Sequence, residues 1–163
     1  RLNQFSRRYI YHILARMTAY VEVGAGCPDL FDKYVNREGK NTLDIEHIWA
    51  DNYEPFKEIF QSTEEFQRWR NHIAGLLLLP ADVNRSYQDK AYVDKSPHYA
   101  KQNLLAASLT PQAYEHQPQF TNFIQNKQLP FKPYATYSKE EQLERRELVK
   151  ALVNQIWTTD RLN

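Results

Sequence analysis

Residues 43–51 read "LDIEHIWAD", and the fold turns on what the chain makes of them. Apolar Leu43 and Ile45 alternate with Asp44 and Glu46, the period-two pattern of a half-buried strand. His47 stands directly behind a carboxylate at the end of that run. A second run, "GLLLLP" at 75–80, is short, apolar and closed by proline, and it reads as another strand, although a buried helix segment has the same signature. A helix is expected from near Ala81 towards Lys90. Strand (42–47), strand (75–80) and helix (81–90) make a ββα unit with a helical insertion between the strands.

The flanks are helical. Phe5, Tyr9, Ile10, Ile13, Leu14, Met17, Tyr20 and Val21 recur at helical spacing, with Ser6 placed to cap. "GAGCPD" at 24–29 breaks that helix. A short helical piece is expected over 30–35, then a polar loop, "NREGKN". Ser62 to Glu65 form a capping box opening a helix that carries Phe66, Trp69 and Ile73. Ser96-Pro97 is expected to start a helix running through Leu104–Leu109, with Pro at its first position; Thr110-Pro111 repeats the signal. Ser138 with Glu141 is a second capping box, opening a last helix through Leu143, Leu148, Leu152, Ile156 and Trp157. The fold class expected is α+β, mainly α-helical, in a single domain over 1–163.

Composition narrows the function classes. The chain has 163 residues, 42% hydrophobic and 25% charged, an ordinary globular balance. No apolar run approaches the roughly 20 residues that cross a bilayer. Cys27 is the sole cysteine, which excludes an internal disulfide and a thiolate zinc site and fits a reducing cytoplasm. A net charge of +1 leaves any nucleic-acid surface to local basic clusters. The chain begins at Arg1 rather than Met, so a piece of a longer protein is expected.

The polar residues of the ββα unit carry the chemistry. Glu46 offers carboxylate oxygen and Asn84 amide oxygen, hard donors suited to Mg²⁺ or Mn²⁺. His47 can take a proton from water near neutral pH. An acid, an amide and a base around a hard cation would suit phosphodiester hydrolysis. Strand geometry raises an objection: neighbours point to opposite faces, so Glu46 and His47 converge only if the strand ends or bends there.

"DIEHIWADN", "RNHIAGLLLLP" and "ADVNRSYQDKAYVDK" together resemble the HNH (His-Me finger) nuclease domain at the C-terminus of GmrSD-type modification-dependent restriction enzymes and related phosphorothioate- or modified-DNA-sensing defence proteins. The likeness continues through "YAKQNLLAASLT" and "RRELVKALVNQIW". The resemblance implies a ββα-metal core acting as a DNA endonuclease or nickase, with a single Mg²⁺ or Mn²⁺ ion. It implies His47 as general base, Glu46 and Asn84 as metal ligands, and products ending in 5′ phosphate and 3′ hydroxyl. It also implies a sensor or NTPase region N-terminal to this domain in the same chain, in a cytoplasmic antiviral system. One position departs from the pattern: Gly75 stands where the family has the motif's middle asparagine. Asn71 or His72 could take over that role from nearby, or the site could be weakened or inactive.

Each reading has a plainer rival. Asp44 could support Glu46 at the site or be a strand-edge acid. Asn84 near a helix start could be a cap. Arg85, Lys90, Lys95 and Lys101, with Tyr87, Tyr92 and Tyr99 interleaved, could grip DNA phosphates with little sequence preference, or form a solvated face over core tyrosines. The rival for the whole chain is a nucleic-acid-binding or docking domain that keeps the HNH fold without catalysis. A nuclease directed at RNA is a third reading.

Overall fold

β1 (Leu43–His47) and β2 (Leu76–Pro80) form an antiparallel two-stranded sheet in which Leu43 faces Pro80 and His47 faces Leu76. Ile48 N donates to Gly75 O at 2.9 Å, carrying the pairing one step past β1. The computed structural model describes residues 1–38 and 42–158, so part of the polar loop expected over 36–41 lies outside the described residues.

Such a small sheet is marginal alone and depends on what covers it. Leu76 and Leu78 join one buried cluster with Ile45, Leu14, Met17 and Phe120. Leu77 and Leu79 join a second with Ile48, Trp49, Phe60, Phe66 and Tyr99. Both faces are therefore covered, which is why four consecutive leucines make a strand here. Each buried leucine side chain contributes roughly 1.5–3 kcal/mol.

Eight α-helices surround the sheet among the described residues: α1 (Arg7–Gly24), α2 (Phe31–Val35), α3 (Thr63–Arg70), α4 (Ala81–Tyr87), α5 (Tyr92–Tyr99), α6 (Leu104–Ala107), α7 (Pro118–Lys127) and α8 (Lys139–Ile156). The architecture is α+β and mainly helical. α3 lies in the insertion between the strands, and β2 runs directly into α4. α1 packs on β2, α2, α6, α7 and α8.

Local signals account for most of this. The Ser138–Glu141 box forms, with Ser138 N donating to the Glu141 carboxylate at 2.7 Å and Glu140 N to Ser138 Oγ at 3.3 Å. Ser62 Oγ accepts from Glu65 N at 3.2 Å, while the Glu65 carboxylate reaches Gln61 N rather than the Ser62 amide. Ser6 precedes α1 without capping it, its hydroxyl donating to Arg1 O at 2.7 Å.

Two expectations are corrected, and one helix is added to them. Ser96-Pro97 does not open a helix: Pro97 lies inside α5, and Asn103 caps α6, its Oδ1 accepting from Ala106 N at 3.0 Å. Burial of Tyr92, Lys95 and Tyr99 along one helical face overrides the proline. α7 has no counterpart in the sequence reading, although Pro118 stands at its start. On α8 the inward positions are Gln142, Arg145, Leu148, Leu152 and Ile156, whereas Leu143 and Trp157 are exposed.

Candidate active site

His47 ends β1 with its ring partly exposed. Asn71, at the C-terminus of α3, places its Oδ1 3.0 Å from His47 Nε2. Arg70, just before it, donates from Nε to Trp49 O at 3.1 Å. Burial, and after it the Arg70 guanidinium, hold the His47 ring at a pKa of about 4, below the usual 6.5; the contact with Asn71 pulls the other way. Asp51, Glu46 and Asp89 in turn support the Arg70 charge against its own burial.

Glu46 points to the other side of the sheet, as strand alternation requires. Its Oε1 accepts from Lys95 Nζ at 2.7 Å and from Tyr99 OH at 2.8 Å. Lys95 also donates to His47 O at 2.8 Å. Lys95 is 0% exposed and Glu46 1%, so the two charges neutralise each other inside the second cluster. Burial draws the Lys95 ammonium below its ordinary pKa, with Glu46 opposing. Burial and then Glu46 push the Tyr99 phenol well up.

Asn84, on α4, is buried, and its Nδ2 donates to Ile45 O at 3.3 Å. Its Oδ1 is uncommitted among the described residues. No hydrogen bond joins His47 to Asn84. Asp44 turns away from Glu46 and pairs with Arg7 at 2.6 Å on the surface. Arg85, Lys90 and Lys101 are exposed, with the Lys90 ammonium 4.9 Å from the Tyr87 ring. Lys95 is sealed inside, and Tyr92 and Tyr99 are core residues. Tyr87 stacks on His98 at 3.8 Å.

The donors suit a hard cation in kind. In arrangement Glu46 does not fit, because its carboxylate is matched to an ammonium, and a divalent ion there requires Lys95 to withdraw. Among the described residues no group of three or more His, Cys, Asp or Glu side chains is placed to hold a metal.

Gly75 is buried, and a Cβ there would meet Gln142 Oε1 at 2.9 Å and Arg70 O at 3.3 Å. Gln142 is itself buried and fixed by donating from Nε2 to Trp69 O at 2.6 Å. The space next to Gly75 is thus filled from α8.

The family model described as GmrSD restriction endonucleases, C-terminal domain, matches residues 2–148. The chain belongs to that family. No curated protein and no solved structure matches it. In this member of the GmrSD C-terminal family the Glu46-His47 pair ends β1 and Asn84 lies on α4, the helix that β2 runs into. The residues that surround the histidine, Arg70, Gln67 and Asp51, were not singled out from sequence. The one available signal was Gln67 and Asn71 at a spacing of four, which aligns them on a helix.

Proposed function

We propose that this chain is the nuclease domain of a modification-dependent restriction enzyme, hydrolysing DNA phosphodiesters with His47 as general base. The observation that carries the reading is the family match over 2–148, which includes a partly exposed histidine at the end of the hairpin strand. β1, β2 and α4 would then form the ββα-metal core. His47 would take a proton from water as the water oxygen bonds to phosphorus. The bond from phosphorus to the 3′ oxygen breaks and that oxygen takes a proton from solvent, leaving a 5′ phosphate and a 3′ hydroxyl. Arg70 supplies positive charge beside the histidine, and exposed Arg85, Lys90 and Lys101 would meet backbone phosphates. Lys95 takes no part in DNA contact.

A Mg²⁺ or Mn²⁺ ion, if held by Asn84 Oδ1, would supply stabilisation of the negative charge that develops on the phosphate and leaving oxygens; Glu46, paired with Lys95 across the sheet from His47, would not hold it. Sensing of a DNA modification, and any NTPase activity, would belong to a further N-terminal region of the protein.

A plasmid-relaxation assay tests this with Mg²⁺, Mn²⁺ or chelator present, beside a parallel RNA substrate. Cation-dependent nicking or cutting of DNA that His47→Ala abolishes supports the reading. Equal cleavage by His47→Ala overturns it. Salt-sensitive DNA binding with no cleavage under any cation supports the docking domain, which the Glu46–Lys95 pairing favours. Selective cleavage of RNA would redirect the substrate assignment.

A further inference from the structure

We infer that Asn71 is the positioning residue for His47, replacing the asparagine absent at 75, and that a chain of polar side chains from Asp51 through Gln67 to Asn71 holds the ring with hydrogen on Nε2. Nδ1 is then the proton-accepting atom. The role assigned to Nδ1 rests on the nuclease reading; the ring's hydrogen position does not.

The direction of each bond follows from what its partner can do. Asp51 Oδ1, as carboxylate, only accepts, and Gln67 Nε2 donates to it at 2.5 Å. Gln67 Oε1 is thereby turned to Asn71 Nδ2, which donates to it at 3.2 Å. The same Nδ2 donates to the Gln67 backbone carbonyl at 2.8 Å, a second partner that cannot donate. Asn71 must therefore present Oδ1 to the imidazole, 3.0 Å from Nε2. An amide oxygen cannot donate, so Nε2 carries the hydrogen. In the neutral ring the lone pair lies on Nδ1, which has no hydrogen-bond partner among the described residues.

The geometry also explains why the role has moved. Gln142 fills the space where a side chain at 75 would start. Asn71 sits four residues upstream, at the end of α3, and reaches the ring from there. Gln67, one helical turn back on α3, ties it to the Asp51 segment that follows β1. Misplacing such a support without touching substrate lowers activity by roughly 10- to 100-fold.

The test is ¹⁵N-histidine labelling of the whole chain with long-range proton–nitrogen correlation at neutral pH, His47 being assigned by loss of its signals in His47→Gln. The wild type should show Nε2 protonated and Nδ1 bare. Asn71→Ala should yield mixed tautomers at His47. In cleavage, Asn71→Ala should lower kcat roughly 10- to 100-fold and change KM less than threefold. A wild-type ring protonated on Nδ1, or a pattern unchanged in Asn71→Ala, overturns the inference. The wild-type spectrum decides even if the alanine variant fails to fold. A wild type that cleaves nothing sinks the nuclease reading alone, because the spectrum reports the hydrogen position regardless.

Discussion

Lys95 and Glu46 meet at 2.7 Å with neither side chain reaching solvent. The pair joins α5 to β1, and its second bond, from Lys95 to His47 O at 2.8 Å, fixes the strand end that carries the histidine. The ammonium is an internal tie rather than a grip for phosphate. Breaking such a pair from one side leaves an uncompensated buried charge.

Lys95→Met should therefore cost about 3–5 kcal/mol, read as a lower urea midpoint with unchanged slope. The double variant Glu46→Gln/Lys95→Met should be more stable than Lys95→Met, because it restores neutrality. If Lys95→Met instead left stability untouched and weakened only DNA binding, the internal pairing would be wrong.

Gly75→Asn is a sharp test of the rearranged motif. The new Cβ must displace Gln142 Oε1 and press on Arg70 O. Overpacking of this kind costs about 1–3 kcal/mol. The variant should melt lower and cleave DNA no faster than the wild type. A large rate gain would mean that Asn71 does not do the missing asparagine's work.

Trp49 packs near-parallel to Phe66 at 6.0 Å and tilts against Phe56 at 4.8 Å, while its Nε1 donates to Tyr137 O at 2.7 Å. Trp49→Ala should cost about 3–5 kcal/mol by the cavity it leaves. Trp49→Phe keeps most of the packing and strands one carbonyl, costing about 1–3 kcal/mol. Equal losses in chemical denaturation would show that the hydrogen bond, not the ring stack, holds this corner.

His72 makes stability pH-dependent. Its Nδ1 accepts from Ala74 N at 3.1 Å. Burial, and after it the Arg146 guanidinium, hold its pKa at about 4, below 6.5. Between those values the unfolded chain takes up a proton that the folded chain refuses. Stability is thus complete above pH 6.5, declines as pH falls towards 4, and levels off below. The ring is only half-buried, so solvent screening keeps the loss well below the full value of about 1.4 kcal/mol per pH unit. His72→Asn retains a capping acceptor without the titration, so the wild-type-minus-variant difference should shrink steadily from pH 6.5 to 4. A constant difference would refute the assignment.

The hairpin, its direct exit into α4, and the capped start of α8 could be read from sequence because the signals are local. Alternation, a proline stop and a Ser–Glu pair each act within a few residues. α7 escaped notice because its two buried aromatics, Phe120 and Phe123, stand beside Thr121, Asn122 and Asn126, residues of weak helical preference. Pro97 misled because a Ser-Pro pair mimics a helix start. Lys95 misled because a lysine is so rarely buried, yet its spacing from Tyr92 and Tyr99 already put it on their face.

The sequence by itself determined the two strands, their order and the position of His47 at a strand end, since side-chain alternation and turn chemistry act locally. Tertiary structure alone decided what each polar group faces. Glu46 looks like a solvent-facing acid until α5 brings an ammonium from 49 residues away, and His47 has no fixed hydrogen until α3 lays an oriented amide against it. Burial makes every such group find a complementary partner, and only the folded chain determines which one is within reach.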